Sequence, residues 1–235
     1  MNHLSRLLGV SSLVVITAAS AGCTPPRMAV PGDLGAQGEV LEARNRSSMS
    51  GAFVDESFDL GPYKVSAVNR DWNSSSQSRS GFTFLDASHA NGGHSFRLEG
   101  GSAPLAGRCF TEAEQSEAHI GNVSVSSTFH RLECRCEAGA IASSLRLESA
   151  DRGLKGQVEI PGGTFPLQSV HDPEGGAHMP DAIGYRVDGP AGPAGAVEVS
   201  RPGRVWIRRG TPPEQREALT CLFAGVMLYQ PPRTK

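Results

Sequence analysis

The sequence has few long apolar runs. Past residue 23, no stretch approaches the roughly 20 consecutive apolar residues that a membrane-spanning helix needs. It is also short of net charge, at −2 over 235 residues. Nucleic-acid binding calls for a clustered basic surface, and the closest approach here is Arg201, Arg204, Arg208 and Arg209, diluted by Glu198 and Glu214. That grouping reads as a solvated strand edge. Catalytic signatures are missing as well. There is no Gly-x-Ser-x-Gly elbow, His-Glu-x-x-His pair, phosphate-binding glycine loop or Ser-x-x-Lys. Nothing calls for a cofactor or a nucleic-acid partner.

The N-terminus carries more information. Met1 to Arg6 holds one cation and no acid, and Leu7 to Ala19 is almost wholly apolar or small. Ala18-Ala19-Ser20-Ala21-Gly22 leads to Cys23. A charged start, a short apolar run and a small-residue zone make a secretory signal peptide, residues 1–22. Ser20-Ala21-Gly22-Cys23 resembles the bacterial lipobox, with Ser20 where that family prefers Leu. The resemblance covers only this targeting segment. It implies a diacylglyceryl group on the Cys23 thiol, cleavage before Cys23 and acylation of the new amino group. Two or more acyl chains suffice for stable membrane anchoring. In Gram-negative lipoproteins an aspartate after the cysteine signals inner-membrane retention. Thr24 stands there, so the resemblance implies the outer membrane, facing the periplasm.

Lipidation of Cys23 leaves Cys109, Cys134, Cys136 and Cys221. An even count in an oxidising compartment reads as two disulfides. Cys134 and Cys136, two apart on an expected strand, point to one face, where a mutual bond would strain disulfide geometry. One is therefore expected to join Cys109 and the other Cys221. A zinc site is the weaker reading, because zinc cysteines pair at C-x2-4-C spacing.

Residues 23–55 are polar, with Pro25, Pro26 and Pro31 and little to bury. They read as a lipidated terminus and flexible tether, with a short helical stretch at Gln37–Arg44. A span of roughly 30 Å would lift the domain off the lipid headgroups. Residues 56–235 form one domain. Its 28 glycines and 16 prolines, counted over the whole chain, disfavour helix interiors. Short alternating segments fall at Tyr63–Asn69, Gly81–Leu85, Ser95–Glu99, Val123–Phe129, Leu132–Cys136, Leu145–Leu147, Leu154–Ile160, Thr164–Val170, Gly184–Val187, Ala196–Val199 and Arg204–Ile207. The fold class is mainly β, an antiparallel sandwich or barrel, with one C-terminal α-helix over about 211–229. Thr211-Pro212-Pro213-Glu214 has the form of a capping box. From Ala218 to Tyr229 only Thr220 is polar, so the helix should be covered on more than one side.

Candidate sites are sparse. His171, Asp172, Glu174, His178 and Asp181 share one loop and suit a divalent metal in ligand type. His89 and His94 form a second histidine pair on an expected loop. Trp72, among hydrogen-bonding neighbours, suits glycan or peptide binding or a capped core. The leading functional reading is a membrane-anchored, non-catalytic binding module for an envelope protein or small ligand. The alternatives are an envelope hydrolase with a scattered His/Asp site, or a purely structural surface lipoprotein. An apolar cavity under the C-terminal helix would favour binding, a polar cleft joining His171, Asp172 and other titratable groups an enzyme, and the absence of both the structural reading. The cysteine count carries its own expectation. Thiol titration of the oxidised, lipidated protein should find no free thiol, whereas two or more would refute the paired arrangement.

Overall fold

The computed structural model describes residues 25–46, 56–79, 85–120, 123–139, 141–150 and 153–230. The signal-peptide and lipobox segment, residues 47–55 of the expected tether and most of the expected strand at 81–85 lie outside the described residues. Twelve strands close into an antiparallel barrel in the order β1-β12-β11-β10-β9-β8-β7-β6-β5-β4-β3-β2. They are β1 (Gly38–Arg44), β2 (Phe58–Leu60), β3 (Tyr63–Arg79), β4 (Leu85–Glu99), β5 (Leu105–Ile120), β6 (Val123–Ala138), β7 (Ile141–Ala150), β8 (Gly153–Ile160), β9 (Gly163–Val170), β10 (Gly184–Gly189), β11 (Gly192–Glu198) and β12 (Arg204–Arg208). A one-turn helix α1 (Leu34–Gln37) precedes β1, and α2 (Pro213–Leu228) follows β12. The mainly β reading with a terminal helix therefore holds, and of sandwich and barrel it is the barrel.

Alternation sorts the side chains. Leu41, Phe58, Val65, Leu98, Leu145, Val158, Leu167, Val187, Val197 and Val205 are buried inward. Arg97, Arg108, Arg135, Glu137, Lys155 and Glu159 are exposed outward. A membrane-spanning barrel carries an apolar band on its outer face, and this described outer face is charged. Side chains alone fill an eight-stranded barrel. Twelve strands enclose more space, and α2 occupies it. Every residue from Glu217 to Leu228 is buried. Phe223 lies against Gly195 on β11, while Gly225 lies against the sulfurs of Cys109 and Cys134 on β5 and β6, so opposite walls touch the same helix. Burying each of Leu219, Leu222, Phe223, Val226 and Leu228 contributes about 1.5–3 kcal/mol.

Both disulfides form inside the barrel, Cys109–Cys134 between directly paired strand positions and Cys136–Cys221 from the wall to the helix. The second closes a separation of 85 residues, and longer loops gain more from cross-linking. At the lower end, the buried Glu217 accepts hydrogen bonds from the Ser102 N–H (2.8 Å) and hydroxyl (2.7 Å). Thr211 does not form the expected capping box. Its hydroxyl donates to the Arg208 carbonyl (2.7 Å), Pro212 is the N-cap, and no side chain caps the helix N-terminus. The two prolines move the start of the helix one residue beyond the threonine's reach.

The tether expectation fails for residues 27–46. Gly38–Arg44 is a strand, not a helix, paired with β12 and β2. Its Glu, Leu, Ala and Arg are good helix formers, but closing the barrel needs a strand there, with Leu41 and Ala43 inward. Upstream, Met28 and Leu34 pack with Ile183, Ala196 and Trp206 in a second small core outside the wall. Arg27 and the Met28 N–H bind the fully buried Glu198, at 3.3 and 2.7 Å. β5 has no counterpart among the expected strands, because its inward positions are Gly107, Cys109, Thr111 and Ala113, too small and mixed to read as apolar alternation.

Gly107 on β5 and Gly225 on α2 have a packing role. A Cβ on Gly107 would sit 2.2 Å from the Phe96 ring, and one on Gly225 would sit 2.7 Å from Cys109 Sγ. Gly225→Ala should destabilise the barrel by about 1–3 kcal/mol through overpacking, read as a lower midpoint in urea unfolding. An unchanged midpoint would mean the helix does not rest on the Cys109–Cys134 bridge.

Candidate functional site

The C-terminal end of α2 points out of one barrel mouth, and the residues that satisfy it also build a recess. A helix leaves its last four carbonyls without intrahelical partners. Here each finds one. Gly225 O meets His94 Nε2 at 3.0 Å, Val226 O accepts the Tyr229 N–H at 3.1 Å, Met227 O accepts Arg46 Nη2, and Leu228 O accepts Arg70 Nη1 at 3.0 Å. Cationic donors at a helix C-terminus also oppose its negative dipole end.

Arg46 further donates from Nη1 to Pro202 O at 3.1 Å, and Arg70 clamps Glu56 Oε2 with Nε at 2.9 Å and Nη2 at 2.7 Å. Glu56 is 5 % exposed. Around these groups lies a cavity of about 280 Å³, completed by Tyr185, Arg201 and Tyr229. Two buried polar atoms in its lining, Glu56 Oε1 and Arg46 Nε, have no hydrogen-bond partner. Buried polar groups are normally paired. Burial, with the neighbouring Arg201 charge, brings the Arg46 guanidinium down to about 10, which leaves it charged at neutral pH. Burial pushes the Tyr229 phenol up to about 12 and raises that of Tyr185 as well, so both hydroxyls keep their protons.

Past the mouth the wall continues on one side only. β3–β6 run beyond their last buried inward residues, Ala90, Ala113 and Leu132, for roughly 20 Å at about 3.3 Å per residue. This part is mostly small and polar. Ser74–Gln77 and Ser126–Thr128 are exposed, and Val125 is 58 % exposed.

The residues singled out from sequence are arranged differently. His171 is buried, with Nδ1 on Met179 O (3.1 Å) and Nε2 on Ser169 Oγ (2.9 Å), so both ring nitrogens are engaged. His178 stacks on it and meets Asp172 Oδ1 at 2.9 Å, both exposed. Asp181 is exposed and does not join them in a convergent ligand set. The loop is a strap under the N-terminal segment, through Ala29 N–H to Asp172 O and Glu174 N–H to Arg27 O. His89 and His94 sit on β4, not on a loop, and on opposite faces. His94 is inside the barrel. His89 is outside with Glu112 and Glu114, the group of metal-type ligands that converges among the described residues. Glu112 is already bound by Arg131 at 3.2 Å. Trp72 falls on β3, within the register shift between Asp71 and Ser74, and its side chain lies outside the described residues. Arg208 pairs with the partly exposed Asp33, as a solvated face would, but Arg204 pairs with the fully buried Glu198, which the solvated-edge reading does not anticipate, and Arg201 lines the mouth. Sequence reasoning did not find Arg46, Glu56 and Arg70. Their only signal is charge beside apolar strand positions.

Comparison with family models, with curated proteins and with solved structures finds no match to this chain.

His94 generates a pH prediction. Burial, then the nearby Arg70 charge, lowers its imidazole to about 4. The neutral ring donates to Gly225 O. The unfolded chain takes up this proton near pH 6.5 and the folded barrel only near pH 4. The contribution is therefore complete above about pH 6.5 and is lost as pH falls from there to about 4. It amounts to something on the order of 3 kcal/mol. His94→Gln, which keeps an N–H donor, should flatten unfolding free energy against pH across that window. A variant with the wild-type slope would refute this assignment.

Proposed function

We propose that this chain is an exported lipoprotein, held to a membrane at Cys23, whose barrel is a non-catalytic binding module with its ligand-facing end at the mouth around the α2 C-terminus. The observation that supports the binding reading is the recess at the mouth, where Glu56 Oε1 and Arg46 Nε are buried without partners. Among the described residues, the apolar cavity under the C-terminal helix that would favour binding is not there, because the helix itself fills the lumen. Two disulfides support an oxidising compartment, and the pattern over residues 1–23 supports lipid anchoring.

The N-terminal brace changes the geometry expected of such an anchor. Ser200 and Glu198 hold Pro26 and Arg27 at the rim of the mouth. Cys23 lies only four residues before Arg27, a reach of at most about 14 Å. An anchored barrel thus rides close to the bilayer, with its mouth on the anchored side, rather than well clear of the headgroups.

Two measurements on the full chain expressed in an exporting bacterium test this reading. Mass spectrometry of the membrane fraction should find acyl mass on an N-terminal Cys23, and Cys23→Ser should move the protein into the soluble fraction. An unlipidated terminus, or Cys23→Ser protein that remains membrane-bound, would overturn the anchor. Native mass spectrometry of protein purified from its own envelope should find a retained small molecule or partner. A bare polypeptide mass would overturn the binding role.

A further inference from the structure

We propose that the outer face of the barrel wall carries a site for one divalent transition-metal ion, zinc being the simplest, held by His89 of β4 with Glu112 and Glu114 of β5. It goes beyond the binding reading of the mouth and does not depend on it.

Strand register builds the donor set. His89 stands directly opposite Glu114 in the β4–β5 ladder. Glu112, two residues along β5, shares the face of Glu114. The neighbouring positions Ala90, Thr111 and Ala113 are buried inward, so the three ligand-type side chains project from the outer face. One donor atom from each lies within 4.8 Å of the others. His89 Nε2 stands 3.6 Å from Glu112 Oε1, and Nδ1 stands 3.6 Å from Glu114 Oε1. Two donors on one zinc ion, each at about 2.0–2.2 Å, are about 3–4 Å apart. An ion takes one ring nitrogen with the carboxylate beside it, and Glu114, the most exposed of the three, closes the remaining distance.

The apo contacts leave these donors unspent. A separation of 3.6 Å is too long for a hydrogen bond, so the imidazole sits between two carboxylates and bonds neither. Among the described residues Glu114 meets no guanidinium or ammonium group. Glu112 is bound through one oxygen only: Arg131 Nη1 holds Oε2 at 3.2 Å and leaves Oε1 turned to His89. Arg131 is itself fixed, by Nε on Glu148 Oε1 at 3.0 Å and by stacking over the Phe129 ring at 5.5 Å. Metal sites use such a partner on the second oxygen of a ligating carboxylate to hold the ligand in place. Around the set, Ser76, Ala87 and Ser116 are small, and an ion reaches the donors from solvent.

Donor type selects the metal. An imidazole with carboxylates suits zinc or a neighbouring transition ion, whereas calcium and magnesium take oxygen ligands. Three protein donors leave a position for water or for a donor from another molecule, the open pattern rather than the closed structural one. Cys109, Cys134, Cys136 and Cys221 do not compete, because they are joined in disulfides.

Isothermal titration of the metal-free, detergent-solubilised full chain with zinc chloride should show one site with a dissociation constant of about 10 μM or tighter. Calcium and magnesium should bind at least about a hundredfold more weakly. His89→Ala and Glu114→Gln should each weaken zinc by at least about tenfold. The melting temperature of the metal-free protein should change little, since neither side chain holds a hydrogen bond. His178→Ala removes the exposed imidazole beside Asp172 and should leave zinc affinity unchanged. Zinc binding weaker than about 100 μM, calcium binding as tight as zinc, or zinc binding untouched by either His89→Ala or Glu114→Gln would overturn the site. Zinc binding lost in His178→Ala would put the ion on the other loop and overturn it too. None of these outcomes touches a ligand retained at the mouth, so failure of this site and failure of the binding role are read separately.

Discussion

The C-terminal end of α2 brings to the barrel mouth carbonyl groups that the helix itself cannot satisfy, and the residues around the mouth are organised to meet them. Arg46, Arg70 and His94 arrive from three different strands or strand ends to do so. Each is itself constrained by the role. His94 is kept neutral, Arg70 needs Glu56 as a counter-charge, and Arg46 is fastened to the β11–β12 connection through Pro202 O. The helix in turn supplies the apolar mass that a twelve-stranded wall cannot supply with its own side chains. The Cys136–Cys221 bridge fixes its rotation and depth.

This arrangement separates the structural part of the barrel from the part available for recognition. The lumen is a packed core, the described outer wall carries exposed charges of both signs, and the turns at the α2 N-terminal end are held by Glu217 and by Arg216 on Glu39 (2.6 Å). The mouth differs. It combines a polar recess, unmatched buried polar atoms and a taller wall on one side. The N-terminal segment reaches the same rim, so the proposed lipid anchor and the proposed binding end share one side of the molecule.

Much of the fold was legible in the sequence because inward positions of most strands are large and apolar, as in Leu154–Ile160 and Arg204–Ile207. The helix was legible because Ala218–Tyr229 is apolar all round, which only a covered helix tolerates. Alternation, which sets Cys134 and Cys136 on one face, indicated that the two do not bond each other, while which of them takes Cys109 and which Cys221 came only from the structure. What failed has physical causes. β5 was hidden because the wall facing Gly225 must be lined with small residues, and Gly38–Arg44 because barrel closure overrides helix propensity. Met28 and Leu34 were hidden because their partners, Ile183 and Trp206, are more than 140 residues away in the chain. The mouth residues were the least legible. Arg46, Glu56 and Arg70 acquire meaning only through Leu228 and Met227, at the far end of the sequence. The histidines of the 170–181 loop looked chemical in sequence, but His171 spends both nitrogens on its own loop and strand.

The central claim is that α2 is the core of the barrel, held from inside at its C-terminal end, and amide hydrogen exchange tests it directly. The amides of Leu219–Leu228 should exchange only through global unfolding, among the slowest in the protein and at the rate of the inner strands β6 and β7. Exchange of that segment at the rate of the surface turns, with β6 and β7 still protected, would mean that the barrel stands without its helix, and would contradict the account.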